Sequence, residues 1–72
     1  MPGGERESKA PPLRFEYKNW QGQTAIRTVM PIGVWYGKTE FHPEEQYFLK
    51  AMDVDKGEER NFAVKDIIRF LP

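Results

Sequence analysis

The sequence contains no cysteine, which excludes a disulfide framework and a cysteine-ligated metal site. It also lacks net charge, since Lys plus Arg and Asp plus Glu both total 11. Without a global charge there is no overall attraction to nucleic acid or to an anionic membrane, so any such binding must be local. No apolar run is long enough to span a bilayer and nothing resembles a signal peptide, so a cytoplasmic protein with no membrane partner is expected.

The residues that usually carry catalysis or bind metals are also scarce. His42 is the only histidine, and Ser8 stands alone in a polar N-terminal stretch. The glutamate pairs at 44–45 and 58–59 fall at loops or turns, where no pocket is indicated that would raise a pKa. No glycine-rich loop precedes a helix. We therefore expect a protein that is not an enzyme and has neither a metal nor a cofactor.

The chain has enough length for one small domain, and its aromatic residues are numerous for 72 residues: five Phe, three Tyr and two Trp. Residues 1–12 contain two glycines and three prolines but no aromatic residue. A segment of this composition cannot bury enough apolar surface to offset its ordering entropy. The sequence predicts a disordered N-terminal arm over residues 1–12 and a single domain over residues 13–72.

The domain shows the alternation of short β-strands and no helical periodicity of useful length. Strands are predicted near residues 13–19, 24–33, 46–54, 60–64 and 68–70, with a structured loop over residues 34–45 and a 3₁₀-like turn before the last strand. Pro31 indicates an edge or a bend in the second strand. Leu49 and Phe62 are predicted to be core residues in facing strands. The expected fold is all-β: a small five-stranded antiparallel barrel of the SH3-like or Sm-like type, in which the first and last strands meet.

The central hairpin carries a pattern that is similar to that of a known family. Tyr47-Phe48-Leu49, Ala51-x-Asp53, a turn with Gly57, Arg60-x-Phe62-x-Val64 and Asp66-Ile67 occur in the order and spacing of the WYL domain, and so does Arg27-x-Val29-x-Pro31 in the strand before the hairpin. The resemblance implies an SH3-like or Sm-like barrel that senses a ligand in bacterial transcription regulation. No helix-turn-helix segment is found in the 72 residues, so a stand-alone WYL-like module is expected.

Two arginines are the first candidates for a binding site. Arg27 and Arg60 fall on family positions, and strand alternation places Arg60 on the same face as Phe62. A guanidinium on a desolvated face needs a partner. One alternative is structural, with Asp53 or a backbone carbonyl as the partner of Arg60; the other is a phosphate or carboxylate of a ligand.

Further cations suggest a basic side of the barrel. Arg14, Lys18 and Arg69 would be neighbours if the first and last strands meet, with Trp20 close by in sequence. Aromatic residues beside a basic track bind single-stranded nucleic acid or a nucleotide-like ligand in small barrels, although solvated charge is also common on outer strand faces. Asp66 stands where the family usually has an arginine, so binding is expected to be weak.

A second functional hypothesis rests on three aromatic residues of the predicted loop, Trp35, Tyr36 and Phe41. A disordered loop rarely carries three large aromatic side chains, so Trp35 and Phe41 are expected to fold over an open end of the core. If exposed, the three would form a surface for a protein partner or for a homodimer.

Overall fold

Alternating apolar and polar residues form five β-strands in the computed structural model, which describes residues 11–72. The strands are β1 (Leu13–Lys18), β2 (Thr24–Gly37), β3 (Gln46–Asp53), β4 (Glu58–Ala63) and β5 (Ile67–Leu71), with a 3₁₀ turn at Val64–Asp66 between β4 and β5. The first ten residues of the predicted N-terminal arm lie outside the described residues. Pro11 and Pro12 precede β1 and are exposed.

The strands form one antiparallel sheet in the order β4-β3-β2-β1-β5. The prediction of an all-β antiparallel fold is confirmed, and so is the expected contact between the first and last strands, because Arg14 pairs with Leu71 and Phe15 with Phe70. The sheet is not closed: β4 and β5 are its two outer strands.

The second strand is longer than the sequence predicted. Residues 34–37 were expected in a loop, but they continue β2, with Trp35 opposite Phe48 and Tyr36 opposite Tyr47. Both aromatic pairs have ring centroids 4.9 Å apart, and such cross-strand contacts stabilise a sheet. Pro31 lies inside this strand next to a shift of register between Pro31 and Gly33. The β1–β2 ladder ends at Val29, so Pro31 has a strand neighbour on the β3 side only, and both the predicted edge and the predicted bend agree with its position.

The main core lies on one face of the sheet. Phe15, Tyr17, Val29, Leu49 and Phe62 are buried there. Leu49 and Phe62 are core residues in facing strands, as predicted, and they pair directly in the β3–β4 ladder. Phe62 meets Phe15 and Tyr17 edge to face, at centroid distances of 5.2 Å and 5.0 Å. This geometry is favourable for aromatic rings. We call this the core face.

The opposite face has a smaller apolar cover. Phe48 is fully buried beneath Trp35, whose ring stacks on it at 26°, and the His42 ring lies 5.7 Å away. The indole Nε1–H of Trp35 donates a hydrogen bond to Asn61 Oδ1 at 2.9 Å. This contact joins β2 to β4 across β3 and fixes the indole over Phe48.

The predicted turn at residues 21–23 joins β1 to β2. Asn19 Oδ1 accepts hydrogen bonds from the backbone N–H groups of Gln21 and Gln23, both at 2.9 Å. Gly22 has φ of +86°, a conformation that is strained for any residue with a Cβ. The same turn carries Trp20, which it holds at the end of the sheet.

Candidate ligand-binding groove

A groove of about 460 Å³ opens on the core face, between the β1–β2 turn, the loop at residues 39–42 and β4. Two buried aromatic side chains, Tyr17 and Phe62, line it from the core side. Arg27 and Arg60 also line it, so the structure brings together the two arginines that the sequence singled out. They meet because Arg27 lies opposite Phe15 in the β1–β2 register and Arg60 is two residues from Phe62, which puts both on the core face.

Arg27 is largely buried and faces one carboxylate. Its side chain is 19% exposed, and Nη1 lies 3.8 Å from Oδ2 of Asp53, which is 1% exposed. The buried Nε of Arg27 and Oδ2 of Asp53 have no hydrogen-bond partner within the described residues. A guanidinium carries five N–H donors in a fixed plane. Arg27 therefore has donor capacity beyond its long contact with Asp53.

Asp53 is held by the turn that follows it. Its Oδ1 accepts hydrogen bonds from the backbone N–H groups of Asp55 at 3.1 Å and Lys56 at 3.2 Å. Its backbone oxygen accepts from Gly57 N at 2.7 Å, and Gly57 has φ of +70°. An aspartate that caps its own turn in this way is an Asx turn. The carboxylate is thereby fixed, with Oδ2 towards Arg27.

Arg60 has a different partner from the one predicted. Its Nη1 lies 2.9 Å from Glu58 Oε2 on the same strand face, and its side chain is 39% exposed. Of the alternatives for Arg60, the pairing with Asp53 is wrong, because Asp53 faces Arg27 instead. Asp53 lies opposite Val29 in the β2–β3 ladder and opposite Glu58 in the β3–β4 ladder. Arg27 is two residues before Val29 on the same face of β2, so its side chain is diagonal to Asp53 and can reach the carboxylate.

The rim of the groove carries a stacked aromatic pair. The rings of Trp20 and Phe41 lie 5.5 Å apart at 26°, and the side chains are 60% and 54% exposed. Phe41 belongs to a tight turn in which Thr39 N donates to the His42 backbone oxygen and His42 N donates to that of Thr39. Two separate loops thus place flat apolar rings beside the arginines.

Carboxylates share the groove with the arginines. Glu40, Glu58 and Glu59 also line it, so the groove has no excess of positive charge. Glu58 pairs with Arg60, and Glu59 Oε1 lies 3.9 Å from Lys50 Nζ. The electrostatics favour a ligand that makes directed hydrogen bonds to the arginines over one held by a strong positive field.

The phenol of Tyr17 is a neutral group at the base of the groove. The pKa of Tyr17 is raised above its ordinary value of 10.0, mainly because the phenol is buried. The nearby Asp66 also raises this pKa. The hydrogen bond from Ala63 N–H and the charges of Arg27 and Arg60 each lower it, but by less than burial raises it. The Ala63 N–H donates to the phenol oxygen at 2.9 Å. At neutral pH the phenol keeps its proton and can donate it in a hydrogen bond to a ligand.

The other predicted cations do not join this site. Arg14 and Lys18 flank the inward-facing residues of β1, so alternation directs them to the opposite face. Arg69 lies opposite Glu16, and its Nε is 3.0 Å from Glu16 Oε1. The five cations therefore do not form one surface.

The three aromatic residues proposed as an interaction surface are also separated. Trp35 and Tyr36 are consecutive in β2 and point to opposite faces of the sheet. Trp35 covers Phe48. Phe41 stacks on Trp20 at the rim of the groove, and Tyr36 is exposed. Sequence reasoning did not identify the contact between Trp20 and Phe41, which joins two loops.

Comparisons with protein-family models, with curated proteins and with solved structures find no match for this chain. Within residues 11–72, no three His, Asp or Glu side chains come together as metal ligands. The same part of the chain has no helix that is long and apolar enough to cross a membrane.

Proposed function

We propose that this protein is a non-enzymatic, WYL-like regulatory module whose groove binds a small ligand with a flat ring and an anionic group. A nucleotide-like molecule or one nucleotide of a single strand has this chemistry. The observation that carries the proposal is that Arg27 and Arg60 line the groove whose rim holds the stacked pair Trp20 and Phe41.

The strand arrangement supports a partly open barrel of the SH3-like or Sm-like type. The order β4-β3-β2-β1-β5 places the first strand beside the last, and a 3₁₀ turn leads from β4 into β5. Small barrels of this kind use the loops at one end and an adjoining sheet face to bind ligands. The groove occupies that position here.

The arginines supply the recognition of the anion. A planar guanidinium can give two parallel N–H bonds to a phosphate or a carboxylate, and charge-assisted bonds of this kind are about twice as strong as neutral ones. Glu58 and Asp53 already face these guanidinium groups and weaken their attraction for a second anion. We expect a dissociation constant on the order of micromolar or weaker, with only one phosphate in the groove.

The aromatic pair supplies the recognition of the ring. Stacking of a base on an exposed aromatic side chain contributes about 1 to 3 kcal/mol and tolerates any base. Trp20 and Phe41 are more than half exposed and close to the arginines, so a ring on them would place its substituents at the guanidinium groups.

The test is an amide chemical-shift titration with adenosine monophosphate and with a short single-stranded DNA at low salt. Amides of the β1–β2 turn, the 39–42 loop and β4 should shift, with a log-log salt slope of only about −0.7 for one neutralised phosphate. Arg60→Gln and Trp20→Ala should each weaken binding several-fold. Arg14→Gln makes the same charge change on the opposite face and should leave binding unchanged.

Two results would overturn this proposal. No shift at millimolar ligand would mean that the arginines are structural. Shifts that cluster around Trp35 and Tyr36 and persist at high salt would favour the alternative function, a protein-interaction barrel. The exposed aromatic pair Tyr36 and Tyr47 is the observation that keeps this alternative open.

A further inference from the structure

The strand β1 is shorter than its neighbour β2, and this leaves part of β2 without a neighbour on that side. The β1–β2 ladder ends where Leu13 pairs with Val29, whereas β2 continues to Gly37 with β3 as its partner. Within residues 11–72, no strand lies along the other side of this distal segment, residues 32–37. Pro11 and Pro12 precede β1 and have no N–H groups, so they cannot extend the ladder in the regular way.

The distal segment is apolar and has no protecting charge. From Thr28 to Gly37 the sequence has no charged residue, and Ile32, Val34 and Tyr36 are each more than half exposed. Soluble proteins usually protect an unpaired strand edge with charged side chains, because an unprotected edge can pair with another strand. The outer strand β4 is protected in this way, since it begins with the charged run Glu-Glu-Arg.

We infer that residues 32–37 of β2 pair with the same residues of a second copy, so that two sheets join into one across a two-fold axis. Antiparallel pairing about a two-fold axis places a strand against itself. When a strand with charged side chains pairs with a copy of itself, like charges come close together and repel each other. The distal segment has no charged residue, so its pairing with a second copy brings no like charges together. The zero net charge of the chain adds no overall repulsion between the copies.

The side chains on the core face support the same partner. Val34 lies opposite Leu49 and Tyr36 opposite Tyr47, so the exposed ends of Val34, Tyr36 and Tyr47 form one apolar patch beside the free edge. In the dimer this patch would continue into the partner's patch across the new strand pair. Tyrosine is enriched at such interfaces because its ring is apolar and its hydroxyl can remain hydrated.

The length of the segment sets the expected strength. Six residues are about 20 Å of strand, which is the length of an ordinary strand but a small interface by itself. A dimer that depends on concentration, with a dissociation constant on the order of micromolar, is expected. This interface does not include the residues that line the ligand groove. If the protein does not form the dimer, the proposed ligand binding is therefore unaffected.

The test is sedimentation equilibrium of the full chain over roughly two decades of concentration, together with amide hydrogen exchange. The wild type should shift from monomer to dimer, and amides of residues 32–37 should become more protected as the concentration rises. Val34→Lys, at a side chain that is 64% exposed, should weaken the dimer at least about tenfold while leaving the circular dichroism spectrum unchanged.

Ile68→Lys is the matched control, because Ile68 is 51% exposed and lies on the outer strand β5, a different edge of the sheet. It should leave the dimer intact. A wild type that stays monomeric at the highest concentration would overturn the inference. A dimer that Ile68→Lys breaks and Val34→Lys does not would also overturn it, since the copies would then pair through β5.

Discussion

Asp53 has two structural roles, and its replacement should reveal the cost of losing both. Its Oδ1 holds the turn after β3 through two backbone N–H groups, and its Oδ2 faces Arg27 at 3.8 Å. Asp53→Ala removes both contacts. It also leaves a mostly buried guanidinium without a facing carboxylate.

The expected loss can be estimated from these contacts. Hydrogen bonds to a charged acceptor contribute about 1.5 kcal/mol each at the lower end, and distances of 3.1 and 3.2 Å are long enough to favour that end. The attraction between two charges near 4 Å is about 4 kcal/mol at an effective dielectric constant of about 20, and desolvation of the buried carboxylate offsets much of it. Asp53→Ala should therefore lower the free energy of unfolding by roughly 3 to 5 kcal/mol. A chain of 72 residues has a total of only about 4 to 11 kcal/mol.

Urea unfolding followed by circular dichroism measures this loss. Asp53→Asn is the informative companion, because its amide oxygen can still accept from the turn while the charge is absent, so it should be less destabilising than Asp53→Ala. The double variant Arg27→Met with Asp53→Ala should recover part of the loss, since no guanidinium is then left unpaired. A loss below about 1 kcal/mol for Asp53→Ala would refute the assigned roles.

Three further predictions concern the core, the phenol and the turn. Phe62→Ala removes a buried ring that touches two other aromatic rings and should cost about 3 to 5 kcal/mol in urea unfolding; an unchanged midpoint would contradict the register of the hairpin. The pKa of Tyr17 is raised in the folded state, so the contribution of Tyr17 to the free energy of unfolding should be constant below pH 10.0, the ordinary value, and should fall above it because the unfolded chain releases the proton first. Tyr17→Phe should remove this alkaline decline and Tyr47→Phe, at an exposed phenol, should retain it; equal profiles for the two variants would exclude Tyr17 as the cause. Gly57→Ala should cost about 1 to 2 kcal/mol by thermal unfolding, because φ of +70° is strained for alanine; a neutral result would mean that the turn adopts another conformation.

Sequence reasoning worked best where one face of a strand is apolar and the other polar. β1 was predicted within one residue because Phe15 and Tyr17 alternate with charged neighbours, and the core positions of Leu49 and Phe62 followed from the same rule. The distal part of β2 was not predicted as strand, because Val34, Trp35 and Tyr36 follow one another without a polar residue. In the structure, Trp35 packs on Phe48 on one face of the sheet and Tyr36 packs on Tyr47 on the other face. Apolar residues therefore occur on both faces of this part of β2, and the alternation of apolar and polar residues is lost.

The candidate site was predictable only in part. Alternation was enough to place Arg60 with Phe62, and it was also enough to separate Arg14 from the core face, since Arg14 precedes the inward-facing Phe15. The partner of Arg27 was not predictable, because it depends on the register between β2 and β3, which the bulge after Pro31 shifts. The contact between the two loops at the rim has no signal in the sequence at all.

The two tryptophans lie in separate parts of the fold, Trp20 in the β1–β2 turn and Trp35 in β2, and this gives the protein two independent optical reporters. Trp20 lies exposed on the rim of the groove, whereas the Trp35 indole is hydrogen-bonded to Asn61 and stacked on the buried Phe48. In a Trp35→Phe variant, fluorescence would come from the groove alone, so quenching would record a ring that stacks there. In a Trp20→Phe variant it would come from the far side of the sheet and would change when the strands separate. Occupancy of the groove and unfolding of the sheet can thus be followed separately, each by the fluorescence of its own single-tryptophan variant.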